Sequence, residues 1–328
     1  MPQISVILPN YNHALFLVDR IESILNQTYT DYEIIIIDDA STDGSRQILC
    51  AYENNQRVSR VIYEQRNSGS PFIQWNKGID LAKGEWIWIA ESDDTAEPEL
   101  LEQLYSLATK NPEVVLAYSQ SNRMDENGIK TGTWKEWTDG MDASMFEQNF
   151  TMGGLDYINE FLINKNTIPN ASAVLFKKSV FHFVGKADEE VRNCSDWLLW
   201  LKMATQGEIA YCAECLNNFR YSDSSVIASA VKDKKISFFK KYDIEMRSRF
   251  DSFLKKQSVQ FREVEKLNRL KLGLEIAQEC RWLLGRKNYK VFMTYLFRYF
   301  VILFQNPLQA SVICLETSKL FKFSNKTV

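Results

Sequence analysis

The chain has 328 residues, enough for a large buried core and about two domains. Its composition, with 45% hydrophobic and 25% charged residues, 13 glycines and 7 prolines, excludes collagen-like and low-complexity architectures. Six cysteines are too few for a disulfide framework in a chain of this length, so we expect a reducing, cytoplasmic setting.

Charge is distributed unevenly along the chain. Residues 1–230 contain 18 Lys and Arg against 33 Asp and Glu, whereas residues 231–328 contain 21 against 9. This asymmetry predicts an acidic domain at 1–230 and a basic region at 231–328 that meets an anionic partner. The first residues lack the basic segment and cleavage site of a signal peptide, so none is expected.

Hydrophobic periodicity and turn residues predict the elements of the first third of the chain. In order, they are strand 4–8, helix 14–26, strand 33–37, helix 43–54, strand 58–64, helix 72–83, strand 85–90 and helix 97–110. The four isoleucines after Glu33 are typical of a strand buried on both faces. The alternation predicts an α/β fold with an open, mainly parallel sheet and helices on both faces.

Beyond about residue 120 the pattern weakens. We expect an irregular region at 120–170 that carries acceptor-binding loops, then a strand near 172–176 and a helix that starts at Asp196. The basic region from residue 231 onwards is expected to be helical, because it is rich in Lys, Arg, Leu and Phe.

Several cofactor and catalytic classes are disfavoured. A dinucleotide-binding turn needs glycines where the backbone approaches the pyrophosphate, and residues 9–12 contain none. The chain has no Walker A sequence, and only two histidines, His13 and His182, are available for a serine or cysteine triad. The chemistry that remains is that of carboxylates.

Two acidic pairs follow predicted strands. Asp38 and Asp39 end one strand, and Asp93 and Asp94 follow another. Because ligands bind at the carboxyl ends of parallel strands, we expect these pairs to share one site. Adjacent carboxylates suit Mg²⁺ or Mn²⁺, which neutralises the charge on a departing diphosphate. The alternative is that each pair only caps the following helix and faces water.

Seven short blocks of the sequence together resemble the family 2 glycosyltransferases, which have the GT-A fold. They lie at 4–12, 23–28, 37–43, 67–69, 76–78, 82–85 and 91–94. The resemblance is close over residues 3–110 and looser over 170–226. A single block would be weak, but this many blocks in order are specific.

The resemblance implies roles for five residues around a nucleotide-sugar donor. Pro9 and Tyr11 would line the nucleotide pocket, with Tyr11 against the base. Asp39 would accept a hydrogen bond from a uracil ring nitrogen. Asp93 would lie near the ribose, and Asp94 would hold a divalent metal, Mg²⁺ or Mn²⁺, that bridges the diphosphate.

The resemblance also implies a catalytic base. Asp196 falls where the family has a Glu-Asp pair at a helix start, and it would take the proton from the acceptor hydroxyl. The alternative is an N-cap aspartate for a helix at 196–206, and the two roles are compatible. One carboxylate for the metal and another for the acceptor suit in-line displacement, and hence inversion at the anomeric carbon.

Three positions depart from the family pattern. Trp75 replaces an Arg that can meet the diphosphate, Glu91 replaces an Asp, and Ser222 replaces a His. The first and third changes remove expected diphosphate contacts, for which Arg220 and Lys77 are candidate substitutes.

Together with the carboxylates, the resemblance implies an inverting, metal-dependent glycosyltransferase. It would move a sugar from a nucleotide-sugar, expected to be UDP-linked, to a hydroxyl of a glycan or lipid-linked acceptor in cell-surface polysaccharide synthesis. One alternative is a nucleotidyltransferase on a related fold, although the basic, Gly-rich phosphate loop it needs is absent from the sequence. Another is a catalytically inactive sugar-nucleotide-binding module, because of Trp75 and Ser222.

The segment 289–304 is almost wholly apolar and aromatic, with Lys290 and Arg298 as its only charges. It is shorter than the roughly 20 apolar residues that cross a bilayer. We expect it either in the protein core or in a membrane interface on the inner face, with the basic region near anionic lipids. Nucleic acid is not an expected partner, because no recognition motif accompanies the charge.

Overall fold

The computed structural model describes residues 1–142, 144–168, 170–191, 194–221, 236–257, 261–305 and 307–322. The chain divides into two compact units, Met1–Ser225 and Val226–Val328. The domain boundary predicted after residue 230 lies outside the described residues.

The first half of the central sheet agrees closely with the predicted elements. They are β1 (Ile4–Asn10), α1 (Ala14–Leu25), β2 (Tyr32–Asp38), α2 (Ser45–Tyr52), β3 (Val58–Tyr63), α3 (Pro71–Leu81) and β4 (Trp86–Ile89). Every residue of β1 and of β2 is buried, because apolar side chains on both faces of these strands are covered. The predicted α/β alternation is confirmed.

The second half of the first unit is richer in strands than expected. It contains β5 (Thr95–Ala96), α4 (Leu100–Thr109), β6 (Val114–Met124), β7 (Lys130–Thr133), α5 (Glu136–Asp142), β8 (Phe150–Gly153), α6 (Gly154–Tyr157), β9 (Val174–Lys177), α7 (Lys178–Phe183), α8 (Ser195–Ala204) and β10 (Glu208–Arg220). The strand expected near 172–176 and the helix expected from Asp196 are confirmed to within two residues.

The strands are ordered β3-β2-β1-β4-β9-β6-β10-β5 across the sheet. The sheet is parallel from β3 to β4, as predicted, and β6 is also parallel to β10. Strand β9 is antiparallel to both of its neighbours, so the sheet becomes mixed beyond β4. Because β1, β2 and β4 run in one direction, their carboxyl ends meet at the same edge.

Gly78 allows α3 to pack tightly on the sheet. A Cβ atom at this position would lie 2.4 Å from Cγ2 of Ile7, a separation that real side chains do not reach. Any larger residue would push α3 away from β1. The glycine therefore fixes the distance between the sheet and Trp75, which lies one turn earlier in the same helix.

The prediction of an irregular region at 120–170 is wrong where β6, β7 and β8 form. Polar residues in β6 and β10 hide the strand pattern. Asn170 and Asn217 each donate a hydrogen bond from Nδ2 to Oγ of Ser121 at 3.2 Å, and Asn217 also donates to Oδ1 of Asn170 at 3.0 Å. These buried donors have partners among the neighbouring polar side chains, which allows polar strands to occupy the centre of the sheet.

The second unit is helical, as predicted. Its helices are α9 (Ile236–Leu254), α10 (Arg262–Gly285), α11 (Tyr289–Gln305) and α12 (Pro307–Lys322). They share an apolar core that includes Ile244, Leu272, Ile276, Cys280, Leu283 and Tyr295.

Helix α11 is apolar on two faces. Phe292, Leu296 and Tyr299 pack against the core of the second unit. The opposite face, which we call the exposed face of α11, consists of Tyr289, Met293, Phe297, Phe300 and Phe304. Packing in a protein core thus applies to one face of the helix, and the membrane interface stays a prediction for the exposed face. None of the described helices combines the length and apolarity needed to cross a membrane.

Candidate active site

Three predicted nucleotide-binding residues lie where β1 and β2 end. Pro9 is buried in β1 and lies opposite Ile37 of β2. Tyr11 follows β1 and is 44% exposed, so its ring is accessible to a ligand. Asp39 follows β2 and is buried. The parallel pairing of β1 with β2 brings all three to one edge of the sheet.

Asp39 already accepts several hydrogen bonds. Oδ1 receives the backbone N–H of Ser68 at 3.0 Å and Nε2 of Gln74 at 2.8 Å. Oδ2 receives the hydroxyl of Ser68 at 2.7 Å and Nδ2 of Asn67 at 3.2 Å. A uracil N–H would have to join or displace one of these donors.

Asp38, the other member of the first acidic pair, has a structural role. Its carboxylate accepts hydrogen bonds from Nδ2 of Asn10 at 2.9 Å and from the backbone N–H of Ser41 at 3.1 Å, and it pairs with Arg46 at 2.9 Å. These bonds tie the ends of β1 and β2 to the start of α2. Asp39 is therefore the candidate ligand-binding residue of this pair.

Three further acids, Glu91, Asp93 and Asp94, lie between β4 and β5, and we call them the acidic segment. Asp94 is 1% exposed, and its Oδ1 accepts the backbone N–H of Arg220 at 2.9 Å. Asp93 is less buried and presents the more accessible carboxylate. The two adjacent aspartates therefore differ in what can reach them.

Crowding within the acidic segment changes its titration. Burial, reinforced by the charge of Asp93, raises the pKa of Asp94 to about 7. Burial and the charges of Asp93 and Asp94 raise the pKa of Glu91 to about 8. Burial is the larger cause of both shifts, and repulsion from the neighbouring carboxylates adds to it. A cation among these carboxylates would relieve that repulsion.

Arg20 of α1 supplies a buried positive charge close to the acidic segment. Its side chain is fully buried, with the guanidinium carbon 4.8 Å from the centre of the Trp88 ring. Its three guanidinium nitrogens have no hydrogen-bond partner within the described ranges. Burial lowers the pKa of Arg20 to about 10, opposed by the charges of Asp94, Glu91 and Asp93. Arg20 therefore acts as an internal counter-charge, held by its aromatic contact and by electrostatics.

The departures from the family pattern have structural partners. Nε1 of Trp75 donates a hydrogen bond to Oε1 of Glu91 at 2.8 Å, so two of the three residues that depart from the family pattern are in contact. Lys77, a candidate substitute for a lost diphosphate contact, pairs with Glu64. Ser222 lies outside the described residues.

Arg220, the other candidate substitute, holds the acidic segment in place. Its Nε donates to the carbonyl oxygen of Asp93 at 2.6 Å, and its backbone N–H donates to Asp94. Its Nη1 donates to the carbonyl oxygens of Asp125 and Glu126, both at 3.0 Å. Nε and Nη1 are thus bonded to backbone oxygens, whereas Nη2 has no hydrogen-bond partner among the described residues.

Asp196 lies in the first turn of α8. The N-cap of this helix is Cys194, so the alternative of an N-cap role for Asp196 is wrong. Oδ2 of Asp196 accepts a hydrogen bond from Nδ2 of Asn166 at 3.2 Å. Burial raises the pKa of Asp196 to about 6, although bonds from Trp197 and Asn166 oppose the shift. A carboxylate with such a pKa is suited to general-base catalysis near neutral pH.

One segment, residues 166–172, contacts both groups of carboxylates. Its first residue, Asn166, bonds Asp196. Its last, Ser172, accepts the backbone N–H of Glu91 at 3.2 Å and bonds the carboxylate of Asp94. The stretch from Asn166 to Ser172 therefore bonds Asp196 at its first residue and the acidic segment at its last.

Sequence reasoning missed Arg20, Asn166 and Ser172. A signal for Arg20 is available, because it falls beside Leu17 and Ile21 on the apolar side of a predicted helix, where a charge needs a reason. Asn166 lies in the segment expected to be irregular and Ser172 at the start of the strand expected near 172–176, and nothing local marks either of them as part of a site.

The fit of the acidic segment to a divalent metal rests on its charge. The described residues contain no group of three His, Cys, Asp or Glu side chains placed to hold a metal alone. Mg²⁺ commonly takes one or two carboxylates and completes its shell with water and substrate phosphates. Asp94 and Asp93 fit that arrangement, because they are crowded oxygen donors whose ionised forms a cation would stabilise.

An α/β sheet with carboxylates at the ends of its parallel strands, and a further carboxylate on a separate helix, defines the class of GT-A glycosyltransferases. The chain belongs to the family described as Glycosyl transferase family 2, which matches residues 5–181. It is therefore an enzyme of glycosyl transfer, as predicted.

Comparison with curated relatives agrees with this assignment. The Bacillus subtilis glycosyltransferase TuaG, whose name assigns it to teichuronic acid biosynthesis, is 26% identical over 245 residues. The match covers 74% of this chain and 89% of TuaG. The chain spans smaller parts of two other curated glycosyltransferases, 42% of one and 26% of the other.

Solved structures share the fold. The S. aureus protein TarS in complex with UDP-GlcNAc has a TM-score of 0.60 and 16% identity, over 94% of this chain and 92% of that chain. The mannosyltransferase PcManGT from Pyrobaculum calidifontis, in complex with GDP-Man and Mn²⁺, has a TM-score of 0.56 and 13% identity, over 99% and 88%. The predicted GT-A fold is confirmed.

Proposed function

We propose that this enzyme transfers a sugar from a UDP-sugar to a hydroxyl group of a glycan or lipid-linked acceptor in surface polysaccharide synthesis, with inversion of the anomeric carbon. The observation that carries the proposal is the pairing of two unlike carboxylate positions through residues 166–172. The acidic segment suits a cation and a diphosphate, whereas Asp196 suits a proton. Inverting transfer needs both.

The residues at the ends of β1 and β2 support a nucleotide donor. The accessible ring of Tyr11 would stack on the base, and Pro9 would form the wall beneath it. Asp39 would accept the uracil N–H by exchanging one of its bonds to residues 67–74. The UDP-GlcNAc bound to TarS is consistent with a uridine donor.

The acidic segment would hold Mg²⁺ or Mn²⁺. Asp94 would be the carboxylate ligand, with the more accessible Asp93 towards the ribose. The ion would supply positive charge that stabilises the departing diphosphate. Mn²⁺ in the PcManGT complex supports this choice. Arg20 adds fixed positive charge from the protein side, and Arg220 keeps the backbone of the segment in place.

Asp196 would take the proton from the acceptor hydroxyl. The hydrogen bond from Asn166 fixes the orientation of its carboxylate. A pKa of about 6 leaves Asp196 ionised at neutral pH and makes it a stronger base than an ordinary aspartate. Because this base is separate from the residues that hold the leaving group, the acceptor oxygen can attack the opposite face of the sugar.

A donor panel tests the proposal. The full-length protein would be incubated with UDP-glucose, UDP-N-acetylglucosamine, UDP-galactose and GDP-mannose, with either Mn²⁺ or EDTA. We expect Mn²⁺-dependent turnover of a UDP-sugar and, by NMR, inversion of the anomeric configuration. Turnover of GDP-mannose alone would contradict the uridine donor, turnover in EDTA would contradict the metal, and a retained anomer would contradict the mechanism.

We also propose that the exposed face of α11 lies on an anionic lipid surface at the inner side of the membrane. Phe297 and Phe304 are 71% and 89% exposed, and isolated aromatic side chains of this kind insert into the lipid headgroup region. The sequence between Glu279 and Glu316 contains no acid and five basic residues, namely Arg281, Arg286, Lys287, Lys290 and Arg298. Positive charge beside an apolar face complements anionic lipid.

Vesicle co-sedimentation tests this surface. The full-length protein should pellet with vesicles that contain anionic lipid and should leave them as salt rises, because the electrostatic part is screened. The double variant Phe297→Ser/Phe300→Ser should lose most of this binding, whereas Phe183→Ser, which removes a 71% exposed ring from the first unit, should keep it. Absence of lipid-dependent pelleting in the unmodified protein would exclude the proposal.

A further inference from the structure

A cavity of about 510 Å³ lies next to the acidic segment, and the proposed donor site does not use it. Its lining consists of Arg123, Met124, Asp125, Thr131, Trp134 and Tyr221. These residues come from the end of β6, from β7 and its flanks, and from the residue after β10. The volume is in the range of small-ligand sites and admits a sugar unit.

One side of the cavity is joined to the acidic segment. The backbone N–H of Tyr221 donates to the carbonyl oxygen of Met124 at 2.8 Å. The residue before Tyr221 is Arg220, which bonds both Asp93 and Asp94. Tyr221 in the cavity wall is therefore the immediate chain neighbour of the arginine that bonds the segment proposed to hold the donor diphosphate.

The other side is joined to the proposed base. The rings of Trp134 and Trp137 are in edge contact, with 5.8 Å between their centres. Nε1 of Trp137 donates to the carbonyl oxygen of Asn166 at 2.7 Å, and Asn166 donates to Asp196. The lining of the cavity is thus connected through one residue to the acidic segment and through two residues to Asp196, the connection that an acceptor subsite needs.

Arg123 gives the cavity its chemical preference. Its guanidinium carbon lies 4.6 Å from the centre of the Trp134 ring, which restrains the planar group. Its carboxylate contact is Glu136 at 3.5 Å, and the Glu136 side chain is 77% exposed, so this pair is weak and easily displaced. A restrained guanidinium matches the paired oxygens of a carboxylate or phosphate.

The other charged groups at the cavity are already engaged. Oδ1 of Asp125 accepts the backbone N–H groups of Asn127 at 2.9 Å and Ile129 at 2.8 Å, so this carboxylate is held in the β6–β7 turn. Lys130, beside Thr131, pairs with Glu97 at 2.6 Å. Arg123 is therefore the cavity cation whose carboxylate partner is the most exposed and the most readily replaced.

Resting on the proposed transferase function, we infer that this cavity is an acceptor subsite and that Arg123 binds an anionic group of the acceptor, the carboxylate of a uronic acid or a phosphodiester. The acceptor is thus an acidic polymer, not a neutral glycan. Arg123 is a specificity-determining residue, and the chemical step does not depend on it.

Calorimetric titration with defined probes tests this inference on the full-length protein. The probes are a glucuronate-containing tetrasaccharide, its neutral methyl ester and an oligomer of glycerol phosphate. We expect one of the two anionic probes to bind about tenfold more tightly than the ester, the loss of one charge-assisted contact. The uronate and phosphate arms identify which anion the site prefers.

The variant Arg123→Gln should abolish this preference while binding of the ester stays the same. Arg123→Lys, which keeps the charge and loses the planar fork, should retain part of it. Arg60→Gln removes an exposed arginine from β3, at the far edge of the sheet, and should change nothing. Equal binding of ester and anions by the unmodified protein, or an equal loss of all probes in Arg123→Gln, would overturn the inference. UDP affinity, measured in the same samples, reports separately on the proposed donor site.

Discussion

The two carboxylate positions of the candidate active site, Asp94 and Asp196, both have raised pKa values, yet the causes differ. Asp94 is one of three clustered acids, and burial together with the charge of Asp93 raises its pKa to about 7. For Asp196, burial is the only cause that raises the pKa, to about 6. A nearby cation would stabilise the ionised form of the crowded carboxylate. The solitary carboxylate is ionised at neutral pH, and no neighbouring acid among the described residues raises its pKa, so it can accept a proton. The same residue type thus acquires two chemistries from its neighbours.

Replacing the solitary carboxylate should have the largest effect. Asp196→Asn should lower the transfer rate about 1,000-fold, because general-base catalysis contributes on that order. In the unmodified enzyme the rate should fall as pH drops below about 6, where Asp196 becomes protonated, and the variant should lack this limb. Steady-state kinetics from pH 5 to 9 measures both, with exposed Asp139→Asn as control. An unchanged rate in Asp196→Asn would remove the base from the mechanism.

Removing the buried positive charge of Arg20 tests the surroundings of the other carboxylate, Asp94. Arg20→Met should cost about 3 kcal/mol of unfolding free energy, because it leaves the acidic segment without its buried cation. Urea unfolding measures the loss, and Mn²⁺ should recover part of it. Arg57→Met is the matched control, since Arg57 also lies over an aromatic ring, that of Tyr32 at 4.5 Å, and it precedes β3, which two strands of the sheet separate from β4. Equal losses in both variants would mean that Arg20 acts only by packing.

The crowding of Glu91 predicts a pH-dependent stability. Its pKa of about 8 in the folded protein exceeds the ordinary value of 4.5, so the folded state holds an extra proton between these limits. The associated stability is complete below about pH 4.5 and is lost as pH rises towards 8. Glu91→Gln removes this loss and keeps an acceptor for Trp75. The melting temperature of the variant relative to the unmodified protein should therefore rise from pH 5 to 9, and a flat difference would contradict the crowding.

The hydrogen bond between Trp75 and Glu91 should have the smallest effect. Trp75→Phe removes a bond to a carboxylate, at a cost of about 1.5 kcal/mol in unfolding free energy. A double-mutant cycle with Glu91→Ala, which removes the acceptor, isolates the coupling between the two side chains. Additive effects would show that Trp75 contributes through packing alone.

Prediction from sequence succeeded where apolar runs and polar ends coincide. The isoleucines of β2 and the turns after β1 and β4 identify both the sheet and the edge that carries Asp39 and Asp94. It failed at β6 and β10, because Ser121 and Asn217 are buried through long-range hydrogen bonds that no local pattern encodes.

The roles within the site show the same limit. Resemblance suggested Asp94 and Asp196 as functional residues, but their different surroundings come from Arg20 and residues 166–172, which are distant in sequence. The sequence marked Trp75 and Glu91 as separate departures, whereas the structure joins them by a hydrogen bond. Arg220 holds the acidic segment in place, because its Nε and Nη1 donate hydrogen bonds to backbone oxygens.

Calorimetric binding of UDP, with and without Mn²⁺, to Asp94→Asn and Asp196→Asn tests the division between the two carboxylates most directly. Asn at either position keeps the size and a hydrogen-bond acceptor, so only the charge changes. We predict that Asp94→Asn loses the Mn²⁺-dependent part of UDP affinity, whereas Asp196→Asn binds UDP as the unmodified enzyme does. Equal loss in both variants, or Mn²⁺-dependent binding that survives in Asp94→Asn, would contradict the account.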